Sequence, residues 1–233
     1  MKKSALITGA SQGLGRAVAT LLAKRGYVLT LNARGEDPLR ETARELSRWT
    51  LVEAVPGDVG EVADQIAERA LYRFGRIDVL INNASELGPS PMPRLEDYPW
   101  DALLQVMRVN VVAPIHLAQL VLPQMRARGA GAIVNITSDA AVNAYPGWGG
   151  YGASKAALEH ASRTLAAELA GSGVRVYVVD PGDMNTEMHR LAEPGVDLGH
   201  LPPPEVVAPA IVDLLGSAEP FARMEAQRLA VSA

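Results

Sequence analysis

Tyr151 and Lys155 stand four residues apart in Tyr151-Gly-Ala-Ser-Lys155. Within a helix that spacing sets both side chains on one face, where they can act together. A free phenol ionises near pH ~10, and a neighbouring ammonium favours the phenolate, drawing the group toward acid–base work near neutral pH. Ser138 closes the strand-like run Gly131-Ala-Ile-Val-Asn-Ile-Thr-Ser138 just upstream, so its hydroxyl can bind a substrate oxygen beside the pair. Singly, each residue has a plain alternative: a core tyrosine, a solvated lysine, a serine capping a turn. Their coincidence at one sheet edge is what points to chemistry.

A second constellation lies near the start, in Thr8-Gly-Ala-Ser-Gln-Gly-Leu-Gly15. Gly9, Gly13 and Gly15 permit a tight turn between a strand and a helix, and backbone N–H groups there can approach a pyrophosphate at the positive end of the helix dipole. Ser11, Gln12 and Leu14 share that turn and are expected to face the same ligand. A glycine pattern alone is a weak signal; its strand–turn–helix setting makes it informative. About twenty positions further on, where such folds place an acid for the adenosine ribose, stand Ala33 and Arg34. A guanidinium makes paired, charge-assisted hydrogen bonds with a 2′-phosphate, so NADP(H) is expected over NAD(H). The alternative is a solvated Arg34, with Glu36 or Asp37 holding the ribose. Asp37-Pro38 reads instead as a helix cap followed by a first-turn proline.

These groups need a scaffold, and the chain alternates strand and helix patterns. Strands are predicted over 4–8, 27–33, 51–56, 77–82, 132–138 and 174–180, with a seventh over 224–229. Helices are predicted over 17–24, 39–48, 62–74, 97–128, 149–170 and 205–215. This repetition predicts an α/β fold: one doubly wound, Rossmann-type domain over residues 1–233, with a mostly parallel sheet of about seven strands and right-handed crossovers. Two irregular stretches, 86–99 and 183–204, follow strand carboxyl ends and are expected to wall a pocket.

Composition narrows the classes of partner. A formal net charge of −4 over 233 residues is too small and mixed to favour nucleic acid or an anionic membrane. No apolar run is expected to reach the ~18 residues of a membrane span, and the first strand begins almost at Met1, so a cytoplasmic location is expected. The absence of cysteine removes thiolate catalysis and thiolate metal sites, and the four scattered histidines propose no metal centre.

The chain resembles the short-chain dehydrogenase/reductase family over nearly its whole length. The family's Thr-Gly-x-x-x-Gly-x-Gly turn matches Thr8 to Gly15, its Asn-Asn-Ala segment matches Asn82, Asn83 and Ala84, and its Tyr-x-x-x-Lys matches Tyr151 and Lys155. Through that resemblance Ser138 corresponds to the active-site serine and Asn110 to the helix asparagine that supports a water linked to Lys155. Asp58, with Val59 beside it, corresponds to the acid that contacts adenine. Asn82 and Ala84 fall in a cofactor-binding segment. Pro181 and Gly182 correspond to the segment against the nicotinamide, and Thr186 to the residue holding its carboxamide. Strand order 3-2-1-4-5-6-7 is implied, as is a homodimer or homotetramer paired through the long helices flanking the fifth strand.

The implied reaction is hydride transfer between the nicotinamide and a carbonyl or secondary alcohol. Tyr151 donates the proton, Ser138 binds the oxygen, and Lys155 binds the nicotinamide ribose while lowering the tyrosine pKa. Leu87, Tyr145, Trp148, Met184, Met188 and His189 are candidate walls of a partly apolar substrate pocket. Three departures from the family stand out: Ser85 replaces the glycine after Asn-Asn-Ala, Arg223 to Arg228 replaces the Gly-Gly ending, and Gln12 stands where many NADP-dependent relatives are basic. Two alternatives remain, a redox-sensing module that binds NADP(H) without turnover and, ranked lower, a nucleotide-sugar epimerase.

Overall fold

Strands that are apolar on both faces must be covered on both faces, and this governs the architecture. In the computed structural model, which describes residues 2–227, β1 (Ser4–Thr8), β2 (Val28–Ala33), β4 (Val79–Asn82) and β5 (Gly131–Ile136) are buried at every position. β6 (Val174–Asp180) is nearly so, whereas β3 (Val52–Pro56) and β7 (Phe221–Glu225) are the half-exposed edges. The seven strands form one parallel sheet in the order β3-β2-β1-β4-β5-β6-β7, the order implied by the family resemblance.

Helices α1 (Gly13–Lys24), α2 (Glu36–Leu46) and α8 (Pro204–Leu214) cover one face, where Ile7, Leu22, Leu31 and Ile211 are wholly buried. Helices α3 (Val59–Phe74), α5 (Ala113–Arg128) and α6 (Gly149–Glu168) cover the other, over Leu6, Leu80, Ile133 and Val176. Each such side chain contributes about 1.5–3 kcal/mol on burial, so the sheet centre anchors every loop at its carboxyl edge.

Several expectations are corrected. The last strand lies at Phe221–Glu225 rather than 224–229, because backbone pairing of Val176 with Phe221 through Asp180 with Glu225 sets its position, not its weak sequence pattern; residues 228 and 229 lie outside the described residues. Helix α2 begins at Glu36 with Gly35 as its cap, which places Asp37 inside the first turn, where a carboxylate complements the helix dipole.

The long helix expected over 97–128 is instead α4 (Trp100–Met107), a π-helical turn (Arg108–Val112) and α5. Trp100–Arg128 together form a 29-residue rod with a mean hydropathy of 1.4 in its most apolar window. By length and composition this suits a membrane span, contrary to the sequence expectation. Half of that window is buried within the fold, which accounts for its apolar character as a core helix. A short helix, α7 (Glu187–Ala192), also forms inside the stretch expected to be irregular, capped by Thr186, whose side chain accepts from His189 N–H at 3.3 Å.

Candidate active site

The loops at the carboxyl ends of β1, β2, β4, β5 and β6 enclose a cavity of about 930 Å3 that runs from the Gly9 turn to the α7 segment. At one end α1 points its N-terminus inward: its cap, Gln12, makes no side-chain capping bond, and the first turn holds no acid. Gly13 has φ +54°, and a Cβ there would meet only the Thr186 methyl, at 3.8 Å, so this backbone lies open to the cavity. Gly15 serves a different purpose. A Cβ on it would sit 2.2 Å from the Gly9 carbonyl oxygen, so its glycine lets the helix close onto the turn. An open, uncapped helix terminus beside a bare backbone fits a pyrophosphate.

Ser11, Gln12, Leu14, Arg34, Asp58, Val59, Ala84, Pro181, Gly182 and Thr186 all line this cavity. Asn82 does not: it is buried and donates to Asn135 Oδ1 at 2.7 Å. Its neighbour Asn83 lines the cavity instead and donates to the Thr8 and Gly9 carbonyls, both at 3.0 Å, tying β4 to the glycine turn. Strand alternation is the signal that separates the two asparagines. Asp58 caps α3, accepting from Gly60 N–H at 2.8 Å. Glu36 and Asp37, the alternatives to Arg34, are outside the cavity lining, and Glu36 pairs with Arg40 at 2.6 Å.

At the other end Ser138 and the α6 pair meet. Ser138 Oγ donates to Asp139 Oδ1 at 3.1 Å and accepts from Ala140 N–H at 3.2 Å. Asp139 Oδ2 also accepts from the Tyr145 hydroxyl at 2.6 Å. Lys155 Nζ lies 5.4 Å from the Tyr151 ring centre and donates to the Ile136 carbonyl at 2.9 Å. Both side chains are buried, and burial dominates their protonation. It pushes the Tyr151 phenol up to about 12, with Asp180 and Asp139 adding to the rise while hydrogen bonding to Ser85 and Ser138 opposes it. It pushes the Lys155 ammonium down to about 7. Burial is the first cause of both shifts, and it acts against the charged form of each group.

Asn110 is fully buried within the π-helical turn. Its amide nitrogen donates to the Glu86 carbonyl at 2.8 Å and to Ser154 Oγ at 2.9 Å. Its oxygen accepts from Glu86 N–H at 2.7 Å and Ser85 Oγ at 3.2 Å. Those four bonds use the side chain's whole capacity. The side chain thus ties the loop after β4 to α6. A π-turn shifts the carbonyl ladder by one residue, and here it brings Asn110 between the two elements.

The pocket walls are apolar and aromatic. Leu87, Ala140 and Tyr151 form a cluster joined by Met92, Trp148, Met188 and Ala192. Trp148 stands edge-on to Tyr151, with ring centres 5.8 Å apart. Leu87, Trp148, Met184, Met188 and His189 line the cavity as expected, but Tyr145 does not; its hydroxyl donates to Asp139. Behind the site, Arg223 Nε reaches both Glu159 oxygens at 3.1 Å, and Thr137 Oγ1 donates to the same carboxylate at 3.0 Å. This ion pair fixes β7 to α6 where the Gly-Gly ending was missed. Asp139 and Glu159 were not singled out from the sequence; Asp139 follows Ser138 directly, whereas only the fold brings Glu159 to Arg223.

A family profile described as short chain dehydrogenase matches residues 3–196. The chain belongs to that family. Among its relatives is a 2-(R)-hydroxypropyl-CoM dehydrogenase of Xanthobacter autotrophicus, 37% identical, with 93% of this chain and 92% of the relative covered. A 3-oxoacyl-(acyl-carrier-protein) reductase of Staphylococcus epidermidis is 35% identical over 81% of this chain and 78% of its own. A solved alcohol dehydrogenase from the archaeon Thermococcus sibiricus, complexed with 5-hydroxy-NADP, superposes with a TM-score of 0.84 at 30% identity, covering 97% of each chain. As a short-chain dehydrogenase, this chain is an oxidoreductase of the NAD(P)-dependent type. In this chain Ser85 bonds to Asn110, and Arg223 pairs with Glu159.

Proposed function

We propose that this short-chain dehydrogenase is an NADPH-preferring reductase of a carbonyl, running reversibly to the secondary alcohol. The observation that carries this is the convergence of Ser138, Tyr151 and Lys155 on the cavity that also receives the open N-terminus of α1. The bound dinucleotide supplies the hydride. Tyr151 holds the proton that the substrate oxygen takes up, and its high pKa in the buried site keeps that proton in place until negative charge develops on the oxygen. Ser138 binds the same oxygen, and this requires its hydrogen to turn away from Asp139. Burial pushes Lys155 down to about 7, so an electron-rich ribose and phosphate neighbourhood would favour its charged form. Asn110 positions the loop and α6 around these groups.

Arg34 supports the preference for a 2′-phosphate, and the 5-hydroxy-NADP complex of the Thermococcus sibiricus relative is consistent with it. The aromatic and methionine walls favour an apolar ketone. The exposed Trp100, Leu104, Val112 and Ile115 on the α4–α5 rod give that helix an apolar outer face, in keeping with a homodimer or homotetramer. A panel of carbonyls assayed with both reduced cofactors tests the function. Carbonyl-dependent oxidation at higher kcat/KM with NADPH supports it; tight dinucleotide binding with no turnover of any carbonyl or alcohol would favour the redox-sensing alternative.

A further inference from the structure

We propose that Glu86 is a cofactor-specificity residue: by holding Arg34 across the cavity, it weakens the chain's discrimination in favour of a 2′-phosphate. The inference rests on the reading of Arg34 as the phosphate-binding cation. Arg34 follows β2 and Glu86 follows β4, and strand order puts β1 between those two strands. The ion pair, Arg34 Nη1 to Glu86 Oε2 at 2.8 Å, therefore bridges from one side of the β1 turn to the other, and both residues line the same cavity.

The two partners are held very differently. The Glu86 backbone is gripped on both sides by Asn110, N–H to Oδ1 at 2.7 Å and carbonyl to Nδ2 at 2.8 Å. Its second carboxylate oxygen accepts from Gly88 N–H at 3.3 Å, and its side chain is only 20% exposed. The Arg34 side chain is 66% exposed, and among the described residues the ion pair to Glu86 is its one hydrogen-bonded contact. The acid is preset, and the guanidinium is the partner free to swing.

No other lysine or arginine at the β2 end of the cavity lining shares this task. Among the described lining residues, Lys155 is at the chemical end, and Arg190, on α7, is engaged by Glu187 at 3.1 Å and Asn185 at 2.7 Å. A 2′-phosphate must therefore take Arg34 from a carboxylate that stays nearby and repels the phosphate dianion. A dinucleotide with a free 2′-hydroxyl brings no phosphate at that position to compete for the guanidinium. The same acid thus acts more strongly against the phosphorylated cofactor than against the other.

Calorimetric titration of the full chain with NADP+, NAD+ and 2′,5′-ADP, without a second substrate, tests this through affinity alone. Glu86→Gln keeps the shape and an oxygen for Gly88 N–H while removing the charge. It is expected to tighten NADP+ and 2′,5′-ADP by about five- to tenfold and to move NAD+ by less than about twofold. In an Arg34→Ala background the gain should shrink to about twofold or less, because the contested cation is gone. Arg34→Ala alone separates the two ideas. If it weakens NADP+ while Glu86→Gln leaves NADP+ unchanged, Glu86 has no such role and Arg34 keeps its own. An Arg34→Ala protein that binds NADP+ normally removes the phosphate-binding reading itself. An undiminished Glu86→Gln gain in the Arg34→Ala background means repulsion without competition and overturns the proposal. Should Glu86→Gln melt well below the parent, Glu86→Ala is titrated in the same way, and absence of the NADP+ gain there refutes it.

Discussion

The two ends of the cleft use polar groups in opposite ways. At the chemical end, Asn110, Tyr151, Ser154 and Lys155 are buried, and hydrogen bonds stitch together the elements that carry them, the π-helical turn and α6, with the loop after β4. At the β2 end an exposed arginine meets a single carboxylate. Buried networks lose heavily when one member is removed, because a desolvated partner is left unpaired. Exposed pairs exchange partners at small cost, and salt weakens them. On the proposed reading, the protein keeps its chemistry on rigid ground and leaves cofactor discrimination to charges that can be retuned.

The sharpest way to break this contrast is at Tyr151. Tyr151→Phe should lower kcat about 10^3-fold while leaving NADP+ affinity, measured by calorimetry, within about twofold, since only the proton is lost. Near-normal turnover on a good substrate would remove the phenol from the chemistry.

Asn110→Ala should come next. It removes the partners of the Glu86 N–H and carbonyl in a part-buried setting, at about 1–3 kcal/mol for each group that water cannot reach, while the Ser154 hydroxyl keeps its bond to the Tyr151 carbonyl. Thermal melts should show a lower Tm, and kcat should fall with it. A variant that melts like the parent would mean that the chemical end is less rigid than its bonding implies.

Lys155 gives a pH-dependent test of the same burial. An unfolded lysine stays protonated up to about 10.5, whereas burial holds Lys155 near 7, so between those values the unfolded chain binds the extra proton and stability rises with pH. Below about pH 7 the penalty of burying the ammonium is fully present. Lys155→Met should therefore raise Tm most at about pH 6, with the gain fading toward about pH 10, even as activity is lost. A gain independent of pH would show that packing, not charge, is responsible.

The smallest effect belongs to the β2 end. Raising ionic strength to about 0.5 M should increase the KM for NADPH by about two- to fivefold and leave that for NADH nearly unchanged. Equal sensitivity of the two cofactors would place the exposed charge elsewhere.

Much of this was legible in the residues themselves. Alternating strand and helix patterns announce the doubly wound sheet, because a strand apolar on both faces has few other places to go. The glycine turn and the Tyr151–Lys155 spacing depend only on local geometry, and they fall together on one cavity. The last strand was placed three residues late, since an edge strand half open to solvent carries little pattern and takes its register from β6.

What tertiary structure alone decided was environment. Nothing local in Asn110 says that its four hydrogen bonds run to residues 24, 25 and 44 positions away. The same holds for Arg34, which meets Glu86 across 52 residues, and for Lys155, which loses its proton readily because of burial rather than its neighbours in the chain. Residue type and short spacing determine which groups are available. Desolvation and pairing are set by whatever the fold brings alongside, and these determine how strongly each group holds its proton or its partner.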